Sequence, residues 1–370
     1  MSNDERQRVN ARLDDALHAR VEQALDNKTK PQGALGMLER LAYRIAMIQR
    51  SETPHVDRAR VLLFAADHGV AVIGVSAYPA SVTAAMVRTA ADGGAAVSVL
   101  TRAVAGAWAD IEIIDVGVGS DLPPLVNVVT ARIANGTRDF LREPAMTAAQ
   151  CRAAMEVGAL AAERALAAGA DVIALGEMGI ANTTSAAAIV SALSGASVQD
   201  SVGRGTGIDH RTLLHKQAVV RDSLALHADA MTAIDGLPDA FAVLTCVGGF
   251  EIAAMAGAAI AAAAARTVLL VDGFITTAAV LAAAMIDQRV LDVIVFAHRS
   301  AERGHDRALA HFVALGLPEA FARPLLQLDL RLGEGSGAAL ALPLLRAAAC
   351  MLSEMATFDS ANVARASETM

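Results

Sequence analysis

Apolar and polar positions follow two rhythms along this chain. Six short runs are almost continuously apolar: residues 60–66 (RVLLFAA), 111–116 (IEIIDV), 171–175 (DVIAL), 243–247 (VLTCV), 267–272 (TVLLVD) and 291–296 (LDVIVF). Runs of this length without polar alternation fit strands covered on both faces. Between them lie alanine-rich stretches near residues 80–103, 147–168, 183–194, 212–228, 250–265 and 276–285, which predict helices. Six strands separated by helices predict an α/β fold with a mostly parallel six-stranded sheet. Such sheets bind ligands beyond the carboxyl ends of their strands. Five segments fall at that predicted edge: 67–69 (DHG), 176–177 (GE), 248–251 (GGFE), 272–273 (DG) and 298–300 (HRS).

The two ends carry another pattern. Residues 4–28 read as a polar helix; beyond Pro31 and Gly33, a second helix places Leu35, Leu38, Leu41, Ile45 and Ile48 on one face. Residues 338–355 form an Ala/Leu helix, and neither end offers a strand. The predicted organisation is therefore a small helical domain from both ends, 1–55 and 331–370, around a large domain over 56–330. No internal repeat is evident.

Composition narrows the function classes. The chain has 31 basic and 39 acidic residues, a formal charge of −8, which disfavours a nucleic-acid surface. A mean hydropathy of +0.43 raises the question of a membrane span. The longest apolar run, 252–265, ends at Arg266, short of the ~20 residues a span requires, so no membrane span is predicted. Cys151, Cys246 and Cys350 are far apart with no CxxC, so neither a disulfide framework nor a zinc site is indicated. The charged N-terminus lacks the apolar segment of a signal peptide, and the expected compartment is the cytoplasm.

Several segments could carry chemistry. In 331–337 (RLGEGSG), Glu334 sits between glycines just ahead of the last helix. That helix start would favour an ionised carboxylate able to accept a proton; a turn glutamate that merely starts the helix fits equally. In 176–184 (GEMGIANTT), a glycine turn leads into Asn182, Thr183 and Thr184, a pattern for a phosphate at a helix start or for an ordinary cap. The loop 202–207 (VGRGTG) looks like a phosphate cradle with Lys216 as counter-charge, although a solvated lysine is the commoner fate. His68 and His298 suit structural hydrogen bonds better than metal ligation, which needs three convergent ligands. Tyr78, Met86 and Met178 read as core packing on residue type alone. No GxxxxGK[ST], GxSxG, HExxH or strand-following GxGxxG occurs, which removes support for ATP hydrolysis, serine hydrolysis, zinc proteolysis and standard NAD chemistry.

Ten blocks then occur in one order: KTKPQGALGMLERLA (28–42), AADHGVAVIGVSAYPASVTAAMV (65–87), DGGAAVSVL (92–100), IDVGV (114–118), GEMGIANTTSAAA (176–188), VGRGTG (202–207), VGGFEIAAMAG (247–257), DGFITTAA (272–279), HRSAERGH (298–305) and RLGEGSGAALALPLLRAA (331–348). Together they resemble the nicotinate-nucleotide:dimethylbenzimidazole phosphoribosyltransferase family over about residues 28 to 358. The resemblance implies a Rossmann-like large domain, a small helical domain from both chain ends, and a homodimer with sites near the subunit interface. It implies transfer of phosphoribose from nicotinate mononucleotide to 5,6-dimethylbenzimidazole, with no metal or organic cofactor. Glu334 matches the family's general base, and Glu177 a second carboxylate beside the ribose. Gly179, Asn182, Thr183, Gly203, Gly205, Lys216 and Ser300 match phosphate and ribose contacts. Tyr78, Met86 and Met178 fall where the family lines its base pocket, which replaces the core-packing reading for these three. Gln32, Ala34, Ala66 and Ala181 depart from common family residues without removing a proton acceptor or a phosphate contact. The same chemistry on adenine, a phenol or another benzimidazole stays open, as does a silent binding homologue.

Overall fold

The computed structural model describes residues 3–364 other than Thr206. Two compact units divide the chain: one is the chain up to Asp57 together with the chain from Leu342 onward, and the other runs from Arg58 to Ala341. The RLGEG segment therefore belongs to the larger unit.

The smaller unit contains α1 (Asn3–Asp26) and α2 (Met37–Gln49). In it, Lys28 Nζ donates to the Met355 carbonyl (2.8 Å) and the Thr29 amide to that of Ala356 (3.0 Å), tying the two chain ends together. The Lys30–Glu39 ion pair (2.9 Å) is buried, and Glu39 also accepts the Leu35 amide (2.8 Å). Lys30 thus fixes a turn within this unit.

The larger unit begins with β1 (Ala59–Ala66), α3 (Ser81–Ala91), α4 (Ala96–Val104) and β2 (Ala109–Gly117). It continues through β3 (Val128–Thr130), α5 (Ala148–Ala167), β4 (Val172–Met178), α6 (Asn182–Ser194) and α7 (Val198–Ser201). Next come α8 (His210–Leu226), α9 (Ala240–Val247), α10 (Phe250–Ala264), β5 (Val268–Val271), α11 (Phe274–Ile286), β6 (Ile294–Phe296) and α12 (His305–Ala314). The last helix, α13 (Ser336–Glu354), starts in this unit. The sheet order is β3-β2-β1-β4-β5-β6 and every pairing is parallel. This is the Rossmann order, and its switch point lies between β1 and β4.

Three differences from the sequence expectation stand out. Residues 243–247 are helical: Asp239 accepts the Ala242 amide (3.0 Å) and caps α9, so VLTCV is a buried helix turn. The sixth strand is instead β3, a three-residue edge strand with no sequence signal of its own. The GGFE segment consequently joins α9 to α10 and follows no strand. The helix expected over 80–103 is broken at Gly93, where φ is +80°.

The continuous apolar runs have their physical reason in cover on both faces: β1 is buried along nearly its whole length. Helix α10 is buried almost all round and touches α5 backbone to backbone. A Cβ on Gly158 would lie 1.7 Å from the Ala254 carbonyl oxygen, and one on Gly257 would lie 1.9 Å from that of Met155. Among the described helices, α13 alone is long and apolar enough to cross a membrane; 61% of that stretch is buried inside the protein, as in a core helix.

Candidate active site

The switch point puts the end of β4 beside that of β1, with Phe64 opposite Glu177 and Ala65 opposite Met178. Glu177 is buried, and burial pushes its carboxyl pKa well above the ordinary carboxylate range. The Asn182 side-chain amide and the Glu334 N–H donate to this carboxylate and oppose that shift, while the nearby Glu251 and Asp272 add to it. The RLGEG segment lies directly on this strand end. A Cβ on Gly333 would stand 2.1 Å from Glu177 Oε1, and one on Gly176 would stand 2.4 Å from the Glu334 carbonyl oxygen. Only glycine permits such approach, and Gly333 also has φ +88°.

Glu334 itself is 5% exposed and has φ +63° between two left-handed glycines. Burial raises its carboxyl pKa; the amides of Val97 and Ala96 hold it down, and Asp272 adds to the rise. Ala96 opens α4, so the helix start that meets this side chain is that of α4. The expectation that α13 would keep Glu334 ionised is corrected here, because α13 spends its first amides on Asp272. Asp272 Oδ1 accepts the Ala338 N–H at 2.7 Å, and the Gly335 and Gly337 amides point to the same carboxylate. Glu334 Oε2 is buried with no hydrogen-bond partner.

A second corner gathers the glycine loop. Lys216, on α8 and 1% exposed, donates to Thr183 Oγ1 (2.7 Å) at the start of α6. Burial lowers the Lys216 pKa to about 8, against the pull of Glu302. Gly205 (φ +50°) passes close enough that a Cβ would lie 2.8 Å from Thr183 Oγ1, and its carbonyl accepts from Arg331 (2.9 Å). Gly203 abuts Glu302, whose Oε2 is buried without a partner. The Ser300 amide donates to His305 Nδ1 (2.8 Å), and burial drives the His305 pKa to about 3, so that ring is a neutral acceptor.

One cavity connects these corners. Glu177, Met178 and Gly179 line it, as do Asn182, Thr183, Gly205 and Ser300. Glu334, Gly203 and Lys216 are not among its lining residues. Met86, half-buried on α3, and Tyr78, 53% exposed, also lie outside it. Helix α3 is nevertheless tied to the Gly179 turn, since Thr83 Oγ1 accepts the Ile180 amide (3.2 Å). Asp272, Arg331 and Glu302 also line the cavity; the sequence pattern puts Asp272 at the ligand edge but points to no chemical role for any of the three. Each sits inside a quoted block, which was the available signal. His68 is a structural lock: its ring nitrogens meet Glu251 (2.6 Å) and Ser185 (3.0 Å).

A Rossmann-ordered sheet whose switch point holds buried carboxylates and a glycine-lined lysine corner defines a nucleotide-handling enzyme. A family model described as Phosphoribosyltransferase matches residues 11–363. The chain is 52% identical to nicotinate-nucleotide–dimethylbenzimidazole phosphoribosyltransferase of Cupriavidus taiwanensis, covering 96% of this chain and 97% of that one. It is 50% identical to the protein of the same name from Ralstonia nicotianae, over 95% of each. The crystal structure of CobT from Thermus thermophilus matches with a TM-score of 0.87 and 41% identity, covering 95% of this chain and all of that one. The chain belongs to the nicotinate-nucleotide–dimethylbenzimidazole phosphoribosyltransferases.

Proposed function

We propose that this enzyme transfers the 5-phosphoribosyl group of nicotinate mononucleotide to 5,6-dimethylbenzimidazole, in the synthesis of the cobalamin lower ligand. One ring nitrogen of the benzimidazole attacks C1′ of the ribose. The bond from C1′ to the nicotinate nitrogen breaks, and its electron pair leaves with that nitrogen, which discharges the pyridinium. The attacking ring still carries a proton on its other nitrogen, and Glu334 takes it. Attack opposite the leaving group inverts C1′, so the products are α-ribazole 5′-phosphate and nicotinate.

The observation that carries this reading is the partnerless Oε2 of a buried Glu334, on a backbone laid against Glu177. A carboxylate withdrawn from water is a stronger proton acceptor once ionised, and general-base help of this kind contributes ~10²–10⁴-fold. Glu177 lines the cavity and, in this reading, holds a ribose hydroxyl and, when ionised, supports the positive charge that grows at C1′. The phosphate lies among the Gly179 turn, Asn182, Thr183, Gly203, Gly205, Lys216 and Ser300. Met178, with Met86 and Tyr78, receives the flat methylated ring, which suits polarisable and aromatic surfaces. The reading includes a homodimer, on the strength of the family resemblance, and a cytoplasmic location, on the strength of the charged N-terminus and the scattered cysteines.

Incubating the protein with both substrates and identifying the products by mass tests it. Equimolar nicotinate and α-ribazole 5′-phosphate are expected, with a higher kcat/KM for dimethylbenzimidazole than for adenine or a phenol. Binding of both substrates without nicotinate release would overturn the catalytic reading, and a purine preference would overturn the assigned base.

A further inference from the structure

Asp272 directly follows β5, is 1% exposed and lines the cavity. Nothing in the proposed chemistry uses it. Its carboxylate receives the amides of Gly335, Gly337 and Ala338, the last at 2.7 Å. The amide just before these, that of Glu334, goes to Glu177. Glu177 ends β4 and Asp272 follows β5, and these strands are paired neighbours. Two buried carboxylates at adjacent strand ends therefore hold this turn from both sides of the Glu334 α-carbon: the Glu334 amide favours the charged form of Glu177, and the Gly335, Gly337 and Ala338 amides that of Asp272, the last through a 2.7 Å hydrogen bond. Residue 334 needs such a grip, because it holds a left-handed conformation without being glycine.

We propose that Asp272 is the positioning residue of the proton acceptor, holding the turn after residue 334 so that the Glu334 carboxylate stands where the azole N–H must point. This rests on the reading of Glu334 as the base. A second effect follows from charge. A negative group beside a carboxyl favours its protonated form, so Asp272 also strengthens the hold of Glu334 on a proton. The other groups facing this pair are few. Toward Asp272 they are Glu177 and His298, whose Nε2 is 3.7 Å from Oδ1, with backbone amides alone from α13. Toward Glu334 they are the α4 amides. Glu177 in turn faces Asn182 and Glu251.

Asp272→Asn keeps the side-chain shape and an oxygen for the Ala338 amide but removes the charge. The expected result is a kcat lowered roughly tenfold, with KM for nicotinate mononucleotide within about threefold of the parent. The acid limb of the kcat/KM profile should move to lower pH by roughly one unit, because Glu334 loses its like-charged neighbour. Substrate ionisations are common to both enzymes, so only the difference between profiles counts. A lowered kcat with an unmoved limb would reduce Asp272 to packing and overturn the proposal, as would parent-like turnover. Should the Asn variant not fold, Asp272→Glu, which keeps the charge, carries the test: reduced kcat with an unchanged KM for nicotinate mononucleotide and the parent's acid limb supports the proposal, and full activity, or kcat and KM altered together, overturns it. If the parent releases no nicotinate, or Glu334→Gln turns over normally, the base reading itself has failed and the proposal falls with it.

Discussion

The Glu334 corner and the Lys216 corner of the cavity use the same physics to opposite ends. Both side chains are withdrawn from water, and burial pushes each toward its neutral form, raising the carboxyl and lowering the lysine to about 8. For a base that shift is useful, since it strengthens the acceptor. For a cation it weakens the free site, and an arriving phosphate restores the charge. The supports differ as well. Glu334 is held by backbone: the α4 amides on its carboxylate, its own amide on Glu177, and the following amides on Asp272. Lys216 is held by side chains, through Thr183 and the field of Glu302. Backbone clamps fix a position in advance, whereas side-chain contacts can rearrange as a ligand enters. One corner is therefore built for chemistry and the other for capture.

Glu334→Gln should break the comparison most severely. It keeps the shape and loses the acceptor, so kcat should fall by ~10²–10⁴-fold while affinity for nicotinate mononucleotide changes little. Steady-state release of nicotinate, set beside direct binding of the mononucleotide, measures both halves.

Lys216→Met should act on the opposite quantity, raising KM for nicotinate mononucleotide roughly tenfold with a smaller change in kcat. The sign with pH follows from the lowered pKa. The ammonium is charged below about pH 8 and lost as pH rises through that value, so KM in the parent should climb on the alkaline side. In the Met variant this climb should vanish, and initial rates on both sides of pH 8 decide it.

The smallest effect is expected at Tyr78, which is 53% exposed and outside the cavity lining. Tyr78→Phe should alter KM for dimethylbenzimidazole by about twofold or less, the ordinary range for an exposed side chain. A larger change, found by titrating the base at saturating mononucleotide, would bring the ring into closer contact with Tyr78 than the present geometry gives.

The fold was legible wherever apolar runs were bounded by clear punctuation. β1, β2, β4 and β5 fall on such runs, and β6 occupies the last three residues of its run. VLTCV misled because a continuous apolar stretch of five looks the same in a buried helix as in a strand. Asp239 just before α9 was the decisive mark, being a helix cap. The strand β3 escaped because three residues at a sheet edge need no hydrophobic face. Of the candidate site, Glu334 stood out by its flanking glycines, and Thr183 by opening a helix. What lay beyond reading was contact across the chain: the α4 amides reach Glu334 from more than two hundred residues away, and Asp272 takes the start of α13. Such pairings follow from sheet order, which local sequence does not encode.

The hand of the 333–335 turn has one more consequence. Three consecutive residues wind against the ordinary sense of an L-peptide, and the middle one carries a full side chain. Left to itself that tripeptide would unwind, so the acceptor does not exist as a local property of its segment. Its shape depends on two paired strands and on the first amides of a distant helix, so the reactive group is a property of the whole tertiary fold.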